Sequence, residues 1–184
     1  MKGEIAVNFQ GALNVLGTFL PRIMTAKGGG HIVTVSSVLG IFGPVGLAGY
    51  AASKAALSIV HQSLQAELRF LGRTDVKTSH VLLGQMDTPM FRTLETPNRL
   101  VAPIVKAKDV CHAIVEMVDR GRGGDIFFPL YANCANIWPT LPGSTQILLR
   151  WWSGIDAAAT QGMIPPTKPK TKMTVFAAHH RMQT

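Results

Sequence analysis

A tyrosine and a lysine four residues apart carry the most specific chemistry of this sequence. Tyr50 and Lys54 stand at the start of a predicted helix, where a spacing of four places both side chains on one face. A free phenol has a pKa of about 10, and an adjacent ammonium favours the phenolate and lowers that pKa. Positive potential at the helix amino terminus acts in the same direction. The pair is therefore predicted to exchange a proton with a substrate oxygen.

A serine at the end of a predicted strand supports this interpretation. Ser37 follows the β-branched run His31–Ser36, and Tyr50 comes 13 residues later, across a segment rich in glycine and proline that lets the chain reverse. Without such support, a surface tyrosine packed on a lysine stem is the ordinary interpretation of this spacing. A hydrolase nucleophile is not favoured, because no Gly-x-Ser-x-Gly elbow surrounds either serine.

Helices and strands alternate along the predicted secondary structure. Apolar steps of three and four residues predict helices, and short β-branched runs predict strands. The predicted elements are helix 4–26, strand 31–36, helix 50–71, strand 76–83, helix 109–119 and strand 125–128. Asp109 is predicted to cap the third helix. This order favours an α/β fold with helices on both faces of a parallel sheet, and its ligand crevice lies beyond the strand ends at Ser36–Ser37 and Gly84–Thr88.

Four segments together resemble the short-chain dehydrogenase/reductase family. They are an asparagine-bearing helix, a strand ending in serine, a Tyr-x-x-x-Lys helix and a Gly-x-x-x-Thr loop: Val7–Gly11, Gly30–Ser37, Tyr50–Ala56 and Gly84–Thr88. Leu83 stands where the family usually has proline before the glycine of that loop. The resemblance covers residues 1 to about 130 and implies a Rossmann-like, doubly wound parallel sheet.

The resemblance implies catalytic roles for four residues. Tyr50 would be the general acid/base, and Lys54 would lower its pKa and hold the nicotinamide ribose. Ser37 would orient the substrate carbonyl or hydroxyl, and Asn8 would support a water-mediated proton relay to Lys54. The implied reaction is hydride transfer between NAD or NADP and an alcohol/carbonyl pair, in which the cofactor performs the difficult step.

The resemblance also implies cofactor contacts. Tyr50 and Lys54 would contact the ribose, while Thr88, the backbone near Met86 and the loop that begins at Gly84 would contact the nicotinamide carboxamide. No metal site is expected. The choice between NAD and NADP is open, because the residues that decide it belong to a part of the fold that this sequence does not show.

The resemblance implies an amino-terminal truncation, because the family's Gly-rich phosphate turn precedes the asparagine helix with which this chain begins. The glycines at Gly28–Gly30 do not replace that turn, since they precede a strand, whereas a dinucleotide fingerprint follows one. The expected fold therefore lacks the amino-terminal dinucleotide-binding half. Two alternative functions stay open: a non-catalytic remnant, such as a truncated gene model or a splice product, and a membrane-surface association module without cofactor binding.

Within the family, the chain resembles the 17-beta-hydroxysteroid dehydrogenase/retinol dehydrogenase branch, which implies a steroid-, retinoid- or other lipid-like substrate. Residues 126–149 contain no Asp, Glu, Lys or Arg, and three tryptophans lie in or just after this segment, at Trp138, Trp151 and Trp152. They suit an apolar substrate pocket or a membrane-facing surface. Ordinary packing of the tryptophans in the core is the alternative. Prolines within 126–149 exclude a membrane-spanning helix there.

Composition sets the domain count and the partners. The 184 residues, 47% hydrophobic and 15% charged, predict one domain, with a partial Rossmann-like unit over 1–161, an apolar extension over 126–161 and a flexible basic tail over 162–184. The net charge of +8 is mostly dispersed, which argues against nucleic-acid binding. The expected partners are a lipophilic small molecule, a membrane or lipid-droplet surface and a second copy of the chain.

Two further residue types bear on compartment and metal binding. Cys111 and Cys134 are predicted to be reduced core thiols, because their spacing fits neither a disulfide framework nor a zinc site. This is consistent with a cytoplasmic-facing protein at the endoplasmic reticulum membrane or a lipid droplet. His61 lies in the apolar stripe of a helix and is predicted to be a core histidine rather than a ligand.

Overall fold

A computed structural model describes residues 2–88 and 102–160, with side chains described as far as residue 157. The elements are α1 (Lys2–Glu4), a π-helical segment (Ile5–Gln10), α2 (Gly11–Thr25), β1 (Gly30–Ser37), α3 (Leu39–Phe42), α4 (Ala48–Phe70), β2 (Val76–Leu83), α5 (Ala107–Asp119), β3 (Gly124–Phe128), a 3₁₀ segment (Leu130–Thr140), α6 (Gly143–Ser153) and α7 (Ile155–Thr160). The predicted basic tail, 162–184, lies outside the described residues.

The three strands form one parallel sheet in the order β1-β2-β3. Ser36 pairs with Leu82 and Ser37 with Leu83, so β1 and β2 end side by side. The central strand is buried along nearly its whole length, as continuous apolar runs in covered parallel sheets usually are. The α/β prediction is therefore confirmed, and the two predicted strand ends do meet at one edge of the sheet.

Helices cover opposite faces of the central strand, because successive side chains of a strand point to opposite sides. Val76 packs in a core cluster with Leu64 and Leu68 of α4. Val81 belongs to a second core cluster that includes Val110 of α5. This arrangement confirms the predicted helices on both faces, and α4 thereby lies along the sheet with its amino end near the carboxyl ends of β1 and β2.

The first predicted helix is present but irregular, and two other local predictions are wrong. The first helix contains a π-helical segment, in which the Gly11 amide donates to the carbonyl of Ala6. Helix α5 begins at Ala107, so Asp109 lies in its first turn and does not cap it. Cys111 and Cys134 are exposed rather than buried, because α5 turns Val110 to the core and leaves its neighbour Cys111 outward.

The predicted apolar extension folds as the 3₁₀ segment followed by α6 and α7. Ala132 and Ala135 of the 3₁₀ segment are buried against Val38 and Leu82, close to the strand ends. Over the two described ranges, none of the helices combines the length and the apolar character needed to traverse a bilayer. The extension instead packs beside the edge of the sheet where the predicted site lies.

Candidate active site

A hydrogen bond joins the side chains of Ser37 and Tyr50. Ser37 is the last residue of β1 and is buried, while Tyr50 lies half-buried in the first turn of α4. The Leu39 amide donates to Ser37 Oγ at 3.2 Å, which fixes the serine hydroxyl against the backbone. The structure therefore brings together the two oxygens on which the sequence-based mechanism depends.

The chain reversal between Ser37 and Tyr50 depends on two glycines. Gly43 ends α3 with φ +53°, a left-handed conformation that glycine adopts at little cost. At Gly40, a Cβ would lie 2.8 Å from the backbone nitrogen of Ala55. Only glycine lets α3 approach α4 this closely, and this close packing places Tyr50 over the end of β1.

Lys54 lies beside Tyr50 and is anchored to the strand. Its Nζ is 5.9 Å from the centroid of the Tyr50 ring and donates to the carbonyl oxygen of Val35 at 3.1 Å. The side chain is half-buried, and desolvation by burial lowers the pKa of its ammonium. The predicted Tyr–Lys proximity on one helix face is thus present in the structure.

The predicted direction of the Tyr50 pKa shift is wrong. Burial raises the pKa of the phenol, and the hydrogen bond from Ser37 opposes that shift only in part. The Lys54 ammonium contacts the Val35 carbonyl rather than the phenol oxygen, so it does not offset the desolvation. Tyr50 is therefore a protonated phenol at neutral pH, a group that can donate a proton to a substrate oxygen.

Asn8 reaches α4 next to Lys54 but does not contact the ammonium. Its Nδ2 donates to Ser53 Oγ at 3.1 Å, and Ser53 Oγ donates to the carbonyl of Tyr50 at 2.7 Å. Ser53 is fully buried. Sequence reasoning missed Ser53, although a serine on the inward side of an amphipathic helix was the available signal.

The Gly84–Thr88 segment follows β2 and is held by backbone hydrogen bonds. The Gly84 amide donates to the carbonyl of Phe128 at 2.6 Å, and Met86 pairs with Val105 in an isolated parallel bridge. The Thr88 amide donates to the Met86 carbonyl at 2.9 Å. Leu83, which replaces the family's proline, accepts a hydrogen bond from the Val38 amide, so this position ties β2 to the residue that follows Ser37.

A cavity of about 350 Å³ opens beside the strand ends. Its lining is almost entirely apolar and aromatic: Val38, Leu39, Phe42, Ala102, Tyr131, Cys134, Ala135, Ile137, Trp138, Leu141, Leu149, Arg150, Trp152, Ser153 and Ile155. Arg150 is the single charged residue in this lining, and its guanidinium is paired with Asp156. The sequence pointed to an apolar pocket in this extension, but the cavity walls formed by α3 were not predicted.

The fold and these contacts define a Rossmann-like α/β protein with a Ser–Tyr–Lys site at the carboxyl edge of its sheet. The short chain dehydrogenase family model matches residues 1–99, more than half of the chain, and the chain belongs to this family.

Individual relatives agree with this assignment. The chain is 36% identical over 126 residues to the uncharacterized oxidoreductase TDA5 of Saccharomyces cerevisiae, a match that covers 68% of this chain and 39% of that protein. It is 30% identical over 166 residues to human 17-beta-hydroxysteroid dehydrogenase 13, covering 86% of this chain and 53% of the relative. The chain therefore spans about half the length of these curated relatives.

A solved structure shares the fold. A short chain dehydrogenase from Burkholderia cenocepacia J2315 in complex with NADP superposes with a TM-score of 0.60 at 24% identity, covering 83% of this chain and 60% of the other.

Proposed function

We propose that this chain forms the catalytic part of an NAD(P)-dependent oxidoreductase that interconverts a lipophilic alcohol and its ketone or aldehyde. The observation that carries the proposal is the Ser37–Tyr50 hydrogen bond, with Lys54 beside it, at the carboxyl ends of parallel strands. Open α/β sheets bind ligands in this position. Names of relatives, including a 17-beta-hydroxysteroid dehydrogenase, support the reaction class.

The residues at this edge fit a nicotinamide cofactor. The half-buried Lys54 ammonium offers a positive donor next to Tyr50, and the backbone around Met86 and Thr88 forms a defined turn after β2. Lys54 and Tyr50 would hold the ribose, and Met86 and Thr88 would hold the carboxamide. When bound, the cofactor supplies or accepts the hydride. The NADP complex of the Burkholderia relative supports this choice of cofactor.

Side chains of this protein would carry out the proton transfer. Because burial keeps the Tyr50 phenol protonated at neutral pH, the phenol is ready to give its proton to a carbonyl oxygen as negative charge develops there. With substrate bound, Ser37 would turn its single hydroxyl proton from Tyr50 to the same oxygen and hold that oxygen beside the phenol. Asn8 and Ser53 hold the backbone at Tyr50 through hydrogen bonds that end on the Tyr50 carbonyl.

The cavity supports the lipophilic substrate class. A volume of about 350 Å³ lies in the usual range for small-molecule sites, and its one charge is neutralised by an ion pair. Val38, which lines the cavity, follows Ser37 directly. A neutral, apolar alcohol would therefore be sheltered in the cavity with its oxygen directed toward Ser37 and Tyr50.

The test of this function is cofactor titration followed by turnover. We expect the full chain, or the longer protein that contains it, to bind NADH or NADPH saturably and to oxidise a long-chain or alicyclic alcohol faster than ethanol. Absence of saturable binding would favour the rival function, a non-catalytic remnant.

A membrane surface is the second part of the proposal, and helix α6 supports it. Ile147, Leu148, Trp151 and Trp152 are exposed and fall within an arc of about 140° on a helical projection. Trp151 is 78% exposed, and the protein's net charge of +8 favours an anionic lipid surface. These features support our proposal that the protein associates with the cytoplasmic face of the endoplasmic reticulum or with lipid droplets.

Flotation with anionic vesicles tests the membrane surface. Trp151→Ala combined with Leu148→Ala should reduce co-flotation, whereas Phe70→Ala, which removes an exposed aromatic residue on another helix, should not. Equal flotation of the two variants would count against α6 as the contact.

A homodimer is the third part. Helices α2 and α4 expose apolar side chains that a second copy could cover: Val15, Phe19, Ile59 and Phe70. Association with a second copy would remove these exposed apolar side chains from water. Sedimentation velocity should detect a dimer that Ile59→Lys dissociates, and a monomer at every concentration would contradict this part.

A further inference from the structure

A chain of polar side chains joins the active-site helix to the strands beneath it. Ser36 Oγ donates to the carbonyl oxygen of Lys54 at 2.8 Å, Ser58 Oγ lies 2.9 Å from Ser36 Oγ, and His80 Nε2 lies 3.0 Å from Ser58 Oγ. Ser36 and His80 are buried. Three elements, β1, α4 and β2, thus meet through side chains that the Ser–Tyr–Lys chemistry does not itself use.

Two serine hydroxyls of this network reach the backbone carbonyl of Lys54. Ser58 Oγ carries a single proton and has two acceptors within reach, Ser36 Oγ at 2.9 Å and the carbonyl oxygen of Lys54 at 3.2 Å. His80 Nε2 lies 3.0 Å from the same hydroxyl. Ser36 Oγ donates to the Lys54 carbonyl. The carbonyl of Lys54 is therefore the point at which Ser36 and Ser58 both hold the backbone of α4.

His80, at the end of this network farthest from Lys54, is also supported by a second histidine. The ring of His61 stacks on that of His80 with centroids 5.0 Å apart, and His61 Nδ1 lies 3.0 Å from Thr34 Oγ1. Burial lowers the pKa of both histidines, to about 4 for His61, so both rings are neutral at pH 7. A neutral network of this kind can stay buried beneath α4 without an unpaired charge.

Lys54 is consequently held at two points by consecutive residues of β1. Ser36 binds its backbone carbonyl, and the Val35 carbonyl accepts from its ammonium. Side-chain hydrogen bonds in a buried network can fix one arrangement of packed elements. Resting on the oxidoreductase function proposed above, we propose that Ser36, Ser58 and His80 are positioning residues that hold Lys54 against β1, so that its ammonium stays beside Tyr50.

Chemical labelling tests the positioning without requiring turnover. Acetylation of individual lysines in the full chain, followed by peptide mass spectrometry, reports how firmly the Lys54 amine is held. Ser36→Ala and Ser58→Ala should each raise the Lys54 rate about fivefold, the factor that corresponds to one lost hydrogen bond. Lys77, whose amine is bonded to the Thr74 carbonyl, should keep its rate and serves as the internal reference.

Ser63→Ala is the matched control, because Ser63 is exposed on the same helix and bonds only to Glu67 among the described contacts. Its Lys54 rate should equal that of the unmodified protein. Ser58→Thr retains the hydroxyl and should restore the slow rate. If Ser58→Ala fails to fold, Ser36→Ala removes the same link from the strand side.

The activity measurement separates this proposal from the function on which it rests. In an active protein, Ser58→Ala should lower kcat about fivefold with the KM for the alcohol unchanged, and Ser58→Thr should recover it. Faster Lys54 labelling in a protein without turnover would support the positioning and contradict the oxidoreductase function. Unchanged Lys54 labelling in both alanine variants would overturn the positioning, whatever the activity.

Discussion

Arg150 and Asp156 form a two-pronged ion pair that ties the last two described helices to the segment before the active-site helix. Arg150 Nε and Nη2 donate to the two carboxylate oxygens of Asp156 at 2.9 and 2.6 Å. The same guanidinium donates to the carbonyls of Phe42 and Gly43, and the Val45 amide donates to Asp156. Five hydrogen bonds therefore hold α6 and α7 against the wall of the apolar cavity.

This geometry predicts a strong coupling between the two residues. In a double-mutant cycle of Arg150→Met and Asp156→Asn, measured by urea unfolding, we expect a coupling free energy of about 1–3 kcal/mol, as for residues in one hydrogen-bonded network. Arg120 and Glu116 form an ion pair at 2.6 Å whose side chains are 60% and 59% exposed. That control pair should couple by no more than about 0.5 kcal/mol. Equal coupling free energies in the two cycles would contradict the structural role of the Arg150–Asp156 ion pair.

Removing the phenol oxygen of Tyr50 should abolish most of the alcohol turnover and leave the folded structure unchanged. Tyr50→Phe should reduce alcohol turnover at least about 100-fold, the smallest usual contribution of a general acid/base. The half-buried ring remains, so circular dichroism and the thermal midpoint should stay close to those of the unmodified protein. Turnover within a few-fold of the original would remove Tyr50 from its role.

The buried His61 should make stability depend on acid. Its pKa is lowered from 6.5 to about 4 by burial first and then by His80, while Asp125 opposes the shift. Between those two values the unfolded chain binds a proton that the folded chain does not. Stability is therefore fully present above pH 6.5 and is lost as the pH falls toward 4.

Urea midpoints across that pH range measure the effect. His61→Gln cannot be protonated and should flatten the dependence, whereas His112→Gln, which alters an exposed histidine of α5, should leave it as it was. An equally steep acid loss in His61→Gln would assign the dependence to other groups.

Gly84 should tolerate no side chain. A Cβ there would lie 2.7 Å from both Pro129 Cδ and Tyr131 Oη, so Gly84→Ala should cost about 1–3 kcal/mol of unfolding free energy, as overpacking usually does. Gly17 lies within α2 with nothing within 4 Å of its Cβ position. Gly17→Ala should stabilise by about 0.5–1 kcal/mol. Equal effects of the two substitutions would contradict the close approach at Gly84.

The elements that carry the site could be predicted because their signals are local. Strand 76–83 has the bounds that its apolar run indicates, and Ser37 and Tyr50 meet because a strand end and a helix start lie on opposite sides of one short reversal. The Tyr50 pKa could not be predicted in this way, because its direction depends on burial and on the Val35 carbonyl that attracts Lys54. Both are tertiary properties.

Sequence reasoning described two kinds of feature poorly: segments without a periodic apolar pattern, and contacts between residues far apart in the sequence. Residues 130–140 form a 3₁₀ segment that contains Pro139, and neither the helical nor the strand period identifies it. The pairing of Arg150 with Asp156, and with carbonyls more than 100 positions earlier, joins residues whose proximity only the assembled fold creates. The contacts of His80 could not be predicted for the same reason, since its partners Ser58 and His61 lie on another element.

Helix α4 serves two surfaces at once. Its first turns carry Tyr50 and Lys54, while farther along Ile59 and Phe70 face outward, where the proposed second copy would dock. In the proposed dimer, a second copy bound at Ile59 and Phe70 would restrain the helix that carries Tyr50 and Lys54. Specific activity would then fall on dilution and rise as the protein concentration increases.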